Sequence, residues 1–197
     1  MTASSNWNDA TEWEKKWHGN CVNSYQEETK QIMYANRMGL FTQSIDGRYP
    51  VIDMQGKSVL DMGGGPYSLL LKCINFTGRV VDPCNYPEWI KMRYESAGID
   101  YIKQKGEDYT DNRPYDEAWI YNVLQHVEDP EKVVRNTKAH AKIVRVCEWA
   151  SSFISDGHIH VLYPEKLDIW FGGKGFTSHM NVYGVGQFYY GVFTGEL

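Results

Sequence analysis

Asp61-Met62-Gly63-Gly64-Gly65-Pro66 places a carboxylate two residues ahead of a glycine run, directly after the apolar pair Val59-Leu60. Glycine lets the backbone turn sharply and lets a ligand approach its N–H groups, because no Cβ stands in the way. Such a turn between a strand and a helix N-terminus is a cofactor cradle. A lone glycine-rich loop is a weak signal. Here a second carboxylate, Asp82, ends the next apolar run, Gly78-Arg79-Val80-Val81, and the two acids together strengthen it. Further along, Asp156-Gly157-His158-Ile159-His160 offers imidazoles that titrate near neutrality and suit proton transfer. A metal pair is a third reading of His158 and His160, beside capping and catalysis, but no third ligand stands near them.

The elements that must hold these residues alternate in kind. Strand signals cover Ser58–Met62, Arg79–Val81, Ile99–Lys103, Glu117–Tyr121 and Lys142–Trp149. Helix signals follow Pro66, run from Asn85 and Pro87 to Gly98, from the capping pair Asp129-Pro130 to about Lys138, and from Pro164 to Gly172. Thr177–Thr194 alternates aromatic and small residues around Gly184-Val185-Gly186 and reads as a hairpin. The first forty residues read as helical, with Trp13 and Trp17 on one face, and 43–56 read as a connector. The expectation is an α/β fold with a doubly wound, mostly parallel seven-stranded sheet, helices on both faces and a C-terminal antiparallel hairpin. Residues 1–56 form an N-terminal helical cap and connector, and 57–197 one compact domain.

This order of features resembles the class I S-adenosylmethionine-dependent methyltransferases over residues 57–195. Asp61, Gly63 and Gly65 match the first motif, with Gly64 between them in the same cofactor-binding turn, although Tyr67 stands where a third motif glycine would be. Asp82, with Pro83 after it, matches the acid that accepts the ribose hydroxyls. Gly106-Glu107-Asp108 matches the adenine-contacting motif, and Tyr121 and Asn122 would face the methionine half of the cofactor. The resemblance implies S-adenosyl-L-methionine as cofactor, S-adenosyl-L-homocysteine as product, and direct displacement onto the oxygen or nitrogen of a small molecule or glycan. His158 or His160 would take the acceptor's proton. The alternative is a module of the same fold that binds the cofactor without transfer.

Other chemistries fit less well. Tyr101 and Lys105 have the spacing of a short-chain reductase pair but fall too early in the chain. The P-loop Lys-Ser/Thr does not follow Gly65, and neither amino-directed nor cytosine-5 DNA methyltransferase motifs stand after the fourth strand. The net charge of −5 over 197 residues argues against a general nucleic-acid binder. The four scattered cysteines indicate neither a zinc site nor a disulfide framework, and suit a cytoplasmic protein. No apolar run suggests a signal peptide or a membrane partner.

Overall fold

The computed structural model describes residues 7–19, 21, 25–40, 43–45, 49–151, 154, 157–179 and 186–197. Two helices open the chain, α1 (Trp7–His18) and α2 (Tyr25–Arg37). Then follow β1 (Gln43–Ile45), β2 (Tyr49–Met62), β3 (Cys73–Val81), α3 (Glu88–Ser96), β4 (Ile99–Ile102) and β5 (Tyr115–Tyr121). The chain closes with α4 (Pro130–His140), β6 (Ala141–Ala150), α5 (Pro164–Phe171), β7 (Phe176–His179) and β8 (Gln187–Thr194).

The strands order themselves β4-β3-β2-β5-β6-β8-β7, with the short β1 antiparallel to β2. β2 to β6 are parallel along this path. β8 runs antiparallel to both β6 and β7, so one strand of the seven opposes the other six. The fold is the expected doubly wound α/β sheet with a C-terminal hairpin. The hairpin's turn at Gly184 and Val185 lies outside the described residues.

Strand side chains alternate between faces, and helices cover both. Leu60, Met62, Ala118, Ile120, Val144 and Val146 pack with α4 and α5. Val59, Val80, Trp119, Tyr121 and Cys147 pack with α2 and α3 on the opposite side. Helix signals hold where caps are local. The Asp129 carboxylate accepts the Lys132 N–H at the start of α4, and Gly172 takes the left-handed conformation that ends α5.

Two expectations are corrected. The helix expected after Pro66 is a single 3-10 turn, Leu69–Lys72, capped by Ser68, and β3 begins at once at Cys73. The apolar run is too short to continue, and Ile74 and Phe76 suit a strand. The face that helix would cover is instead filled by Tyr34 and Ala35 of α2 and by Met38 just after it, packed with Leu69 and Leu70. Second, the connector expected over 43–56 is largely strand, and β2 runs unbroken through residue 57. Gly56 marks a bulge: Gln55 and Gly56 have φ of 55° and 85°, and the register with β3 shifts between Asp53 and Lys57.

Candidate active site

The turn after β2 is built by glycines with separate duties. Gly63 has φ +77° and donates its N–H to Val81 O at 2.7 Å; a Cβ there would lie 2.5 Å from Val123. A Cβ on Gly64 would lie 2.6 Å from the Asp61 carboxylate. Gly65 has φ +60° and open space above it, bounded at 3.8 Å by His18 Nε2 and Tyr86 Oη. Helix α3 pins the turn: Tyr94 Oη donates to Gly65 O at 2.6 Å and Arg93 donates to Pro66 O at 2.9 Å. At Tyr67, where a third motif glycine would stand, the carbonyl accepts a hydrogen bond from Gln31 of α2.

Asp82 closes the other side of the turn. Its Oδ2 accepts Gly65 N at 3.1 Å and its Oδ1 accepts Cys84 N at 2.9 Å. Burial raises its carboxyl above the usual range, against the lowering effect of those two N–H groups. The Tyr86 phenol also bonds the carboxylate and lowers its pKa; of the four lone-pair sites on its two oxygens these three donors leave one, and Tyr86, which lines the cavity, can give up a second.

Asp61 is fully buried behind the turn and does not reach the cavity wall. It accepts Ser68 Oγ at 2.5 Å and Tyr121 Oη at 2.6 Å, and burial pushes its carboxyl up to about 7. Tyr121 Oη also accepts Leu69 N at 2.9 Å, so one phenol ties the end of β5 to the loop after β2. Asn122 takes φ +56°, an uncommon conformation that concentrates at functional sites. Glu148 of β6, which the sequence did not single out, accepts Val123 N at 2.9 Å and Leu124 N at 3.2 Å. Fully buried, its carboxyl is pushed up to about 8.

These parts surround a cavity of about 320 Å³ at the C-terminal ends of β2, β3, β5 and β6. Gly63, Gly64, Gly65, Asp82, Pro83, Tyr121, Asn122 and His158 all line it. Helix α1 lies across it, facing it with Ala10, Glu14 and His18 among others. A Cβ on Gly157 would meet the Trp13 ring at 2.5 Å, so the loop before α5 packs directly against α1.

Glu14 is the hub of this roof. Its Oε1 lies 3.1 Å from His126 Nδ1 and its Oε2 3.4 Å from His18 Nε2. Burial would raise the Glu14 carboxyl, but His126 and His18 overcome it and hold it below the ordinary value. His126 Nδ1 also meets Gly157 O at 2.6 Å; facing two acceptors, it is the nitrogen that carries the proton. His158 packs edge-on against His126 and Trp149, at 4.8 and 5.8 Å. Burial, and then His126, bring its imidazole down to about 4 despite Glu14.

Besides Asp61, three sequence candidates stand away from the cavity. Glu107 is buried and accepts Glu128 N at 2.8 Å and Asp129 N at 3.2 Å, supporting the start of α4. Asp108 is exposed and pairs with Lys132 at 3.3 Å. His160 directs Nε2 to Val127 O at 2.8 Å. Among the described residues, no group of side chains is arranged to hold a metal ion, and no helix is long and apolar enough to cross a membrane.

No family model and no curated protein matches the sequence. Many solved structures share the fold. The N-methyltransferase NodS from Bradyrhizobium japonicum, in complex with S-adenosyl-L-homocysteine, has a TM-score of 0.63 at 10% identity over 96% of this chain and 100% of that one. Magnesium protoporphyrin IX methyltransferase from Synechocystis, with bound S-adenosylmethionine, has a TM-score of 0.62 at 12% identity over 98% and 100%. The [4+2]-cyclase SpnF has a TM-score of 0.53 at 16% identity over 78% of this chain and 59% of that one. The fold is therefore that of the class I methyltransferases. The cyclase shows that this fold alone does not fix the reaction.

Proposed function

We propose that the protein binds S-adenosyl-L-methionine beneath α1 and transfers its methyl group to an oxygen or nitrogen of a small molecule. The observation that carries this reading is Asp82, a carboxylate at the end of β3 that grips the glycine turn and opens on the same cavity. The residues fit the cofactor. The space above Gly65 admits a ligand against backbone, Asp82 offers the ribose hydroxyls one free lone-pair site and a second that Tyr86 can give up, and Tyr121 and Asn122 wall the methionine side. When bound, the cofactor supplies a methyl group already activated on a positively charged sulfur.

The chain's tasks are then alignment, exclusion of water and acceptance of a proton. Helix α1 roofs the cavity, and Glu14 holds the roof to His126. His158 is the better placed of the two histidine candidates, because it lines the cavity and its low pKa leaves it unprotonated at neutral pH. Free cysteines and a small-molecule acceptor fit a cytoplasmic enzyme.

Titration calorimetry with S-adenosyl-L-homocysteine tests the reading. Saturable binding in the micromolar range or tighter, about −8 kcal/mol, is expected. Absence of heat with this ligand, and binding of a nicotinamide dinucleotide instead, rejects it. His158→Ala is expected to slow turnover by about 10²–10⁴-fold while cofactor affinity stays nearly unchanged. With the wild-type protein, activity should persist below pH 6 and fall only as the pH nears about 4.

A further inference from the structure

The cavity wall beyond Tyr121 contains two hydrogen-bonding groups that make no bond within hydrogen-bond geometry among the described residues. Tyr34 of α2 is 3% exposed and Trp149 of β6 is half-buried, and both line the cavity. Neither Tyr34 Oη nor Trp149 Nε1 has a hydrogen-bond partner among the described residues. The indole can only donate. Burial first, and then Cys147 beside it, holds the Tyr34 phenol well above its ordinary value, so it also remains a donor. Trp149 lies close to Tyr34, but even an indole N–H turned toward the phenol leaves the phenol proton without an acceptor. Buried donors that stay unpaired are costly, and most such groups in native proteins are satisfied by some partner.

We propose that these two donors hold a carbonyl-type oxygen of the methyl acceptor, and that the acceptor is a small, uncharged, planar aromatic compound. The proposal rests on the reading of this cavity as a methyl-transfer site and names the acceptor's chemical class. An oxygen that takes bonds from two donors has little lone-pair density left for attack. It is therefore a recognition handle, and the methylated O–H or N–H is a separate group of the same molecule, facing His158. His158 stands beside Trp149, with ring centroids 5.8 Å apart, so handle and nucleophile share one end of the cavity.

The charges around the site select against an anion. Glu14 and Glu27 line the cavity, and the one lysine among the described residues lining it, Lys30, is paired with Glu27 at 2.9 Å. Aromatic side chains including Trp13, Tyr67 and Tyr86 complete the wall and suit a flat ring. A cation would find the aromatic faces and Glu14 but would leave both donors unpaired.

Ligand-observed NMR on the complex with S-adenosyl-L-homocysteine tests this with three probes: 4-hydroxyacetophenone, 4-ethylphenol and 4-hydroxybenzoate. The ketone should bind about two- to tenfold more tightly than 4-ethylphenol, the usual worth of a hydrogen bond. Tyr34→Phe should diminish that difference to what the Trp149 indole alone supplies. It should also leave the melting temperature of the free protein unchanged or raised, because it removes a buried group that has no partner among the described residues. Equal binding of ketone and ethylphenol, preference for 4-hydroxybenzoate, or an undiminished ketone preference in Tyr34→Phe overturns the proposal. If S-adenosyl-L-homocysteine fails to bind but the ketone preference appears in the free protein and depends on Tyr34, the oxygen site stands and methyl transfer falls.

Discussion

Asp82 has a structural duty as well as the one proposed for it. Its oxygens already bridge Gly65 N and Cys84 N, so the side chain holds the two cavity-lining turns at a fixed separation. Asp82→Ala should therefore weaken S-adenosyl-L-homocysteine binding by about 1.5–3 kcal/mol, measured by calorimetry, and should lower the melting temperature of the free protein as well. Glu148 makes a second residue-level prediction. A carboxyl raised to about 8 takes up a proton on folding wherever the unfolded chain has already lost it. Its contribution is thus greatest below about 4.5 and is lost as the pH climbs through about 8. Asp61, raised to about 7, contributes in the same direction. Glu148→Gln keeps an acceptor for Val123 N and Leu124 N but removes the titration. The melting temperature of the variant, relative to wild type, should rise by several degrees between pH 5 and pH 8, at about 2–4 °C per kcal/mol for a chain of this size. A constant difference across that range would show that Glu148 is ionised in the folded protein.

At the scale of elements, α1 and α2 behave differently although both read as one helical cap. α2 is part of the fold: Tyr34 and Ala35 are buried, as is Met38 just after the helix, whose carbonyl accepts from Arg145 at 2.7 Å while Arg145 also bonds Glu117. α1 buries only Ala10 fully and spends its inward face on the cavity. Its closure depends on Glu14 meeting His126 and on Trp13 meeting Gly157, where there is no room for a Cβ. Gly157→Ala should displace Trp13 at a cost of about 1–3 kcal/mol and raise the dissociation rate of S-adenosyl-L-homocysteine about fivefold or more. The melting of the sheet should hardly change. Stopped-flow displacement reads the first quantity and thermal denaturation the second; an unaltered dissociation rate would mean that α1 does not roof the bound cofactor.

The clustering of the glycine turn with its two acids was legible in the sequence because it is local. Asp61, the glycine turn and Asp82 lie within one strand-turn-strand stretch, and spacing alone brings them together. Glu14, Tyr34, Trp149 and Glu148 reach the same place from both ends of the chain, and no local pattern reports that. Glu107 bonds the backbone before α4, and an acid after a glycine reads the same in sequence whether it meets a ligand or a neighbouring loop. Gly56 and Pro50 read as punctuation, whereas the sheet carries β2 through both and absorbs Gly56 in a bulge. The long β2, paired with β3 on one side and β5 on the other, carries the glycine turn to the crevice where ligands bind in open α/β sheets. α2 then takes the surface that the missing helix between β2 and β3 leaves open. The central claim is that this crevice, roofed by α1, holds the cofactor with its ribose on Asp82 and its sulfur toward the wall formed by Tyr34, Trp149 and His158. A crystal structure of the complex with S-adenosyl-L-homocysteine tests it most directly. The account predicts both ribose hydroxyls within hydrogen-bond distance of the Asp82 carboxylate, about 2.5–3.0 Å, and the sulfur facing those three side chains. Ligand found outside the crevice, or bound there with the ribose away from Asp82, would contradict it.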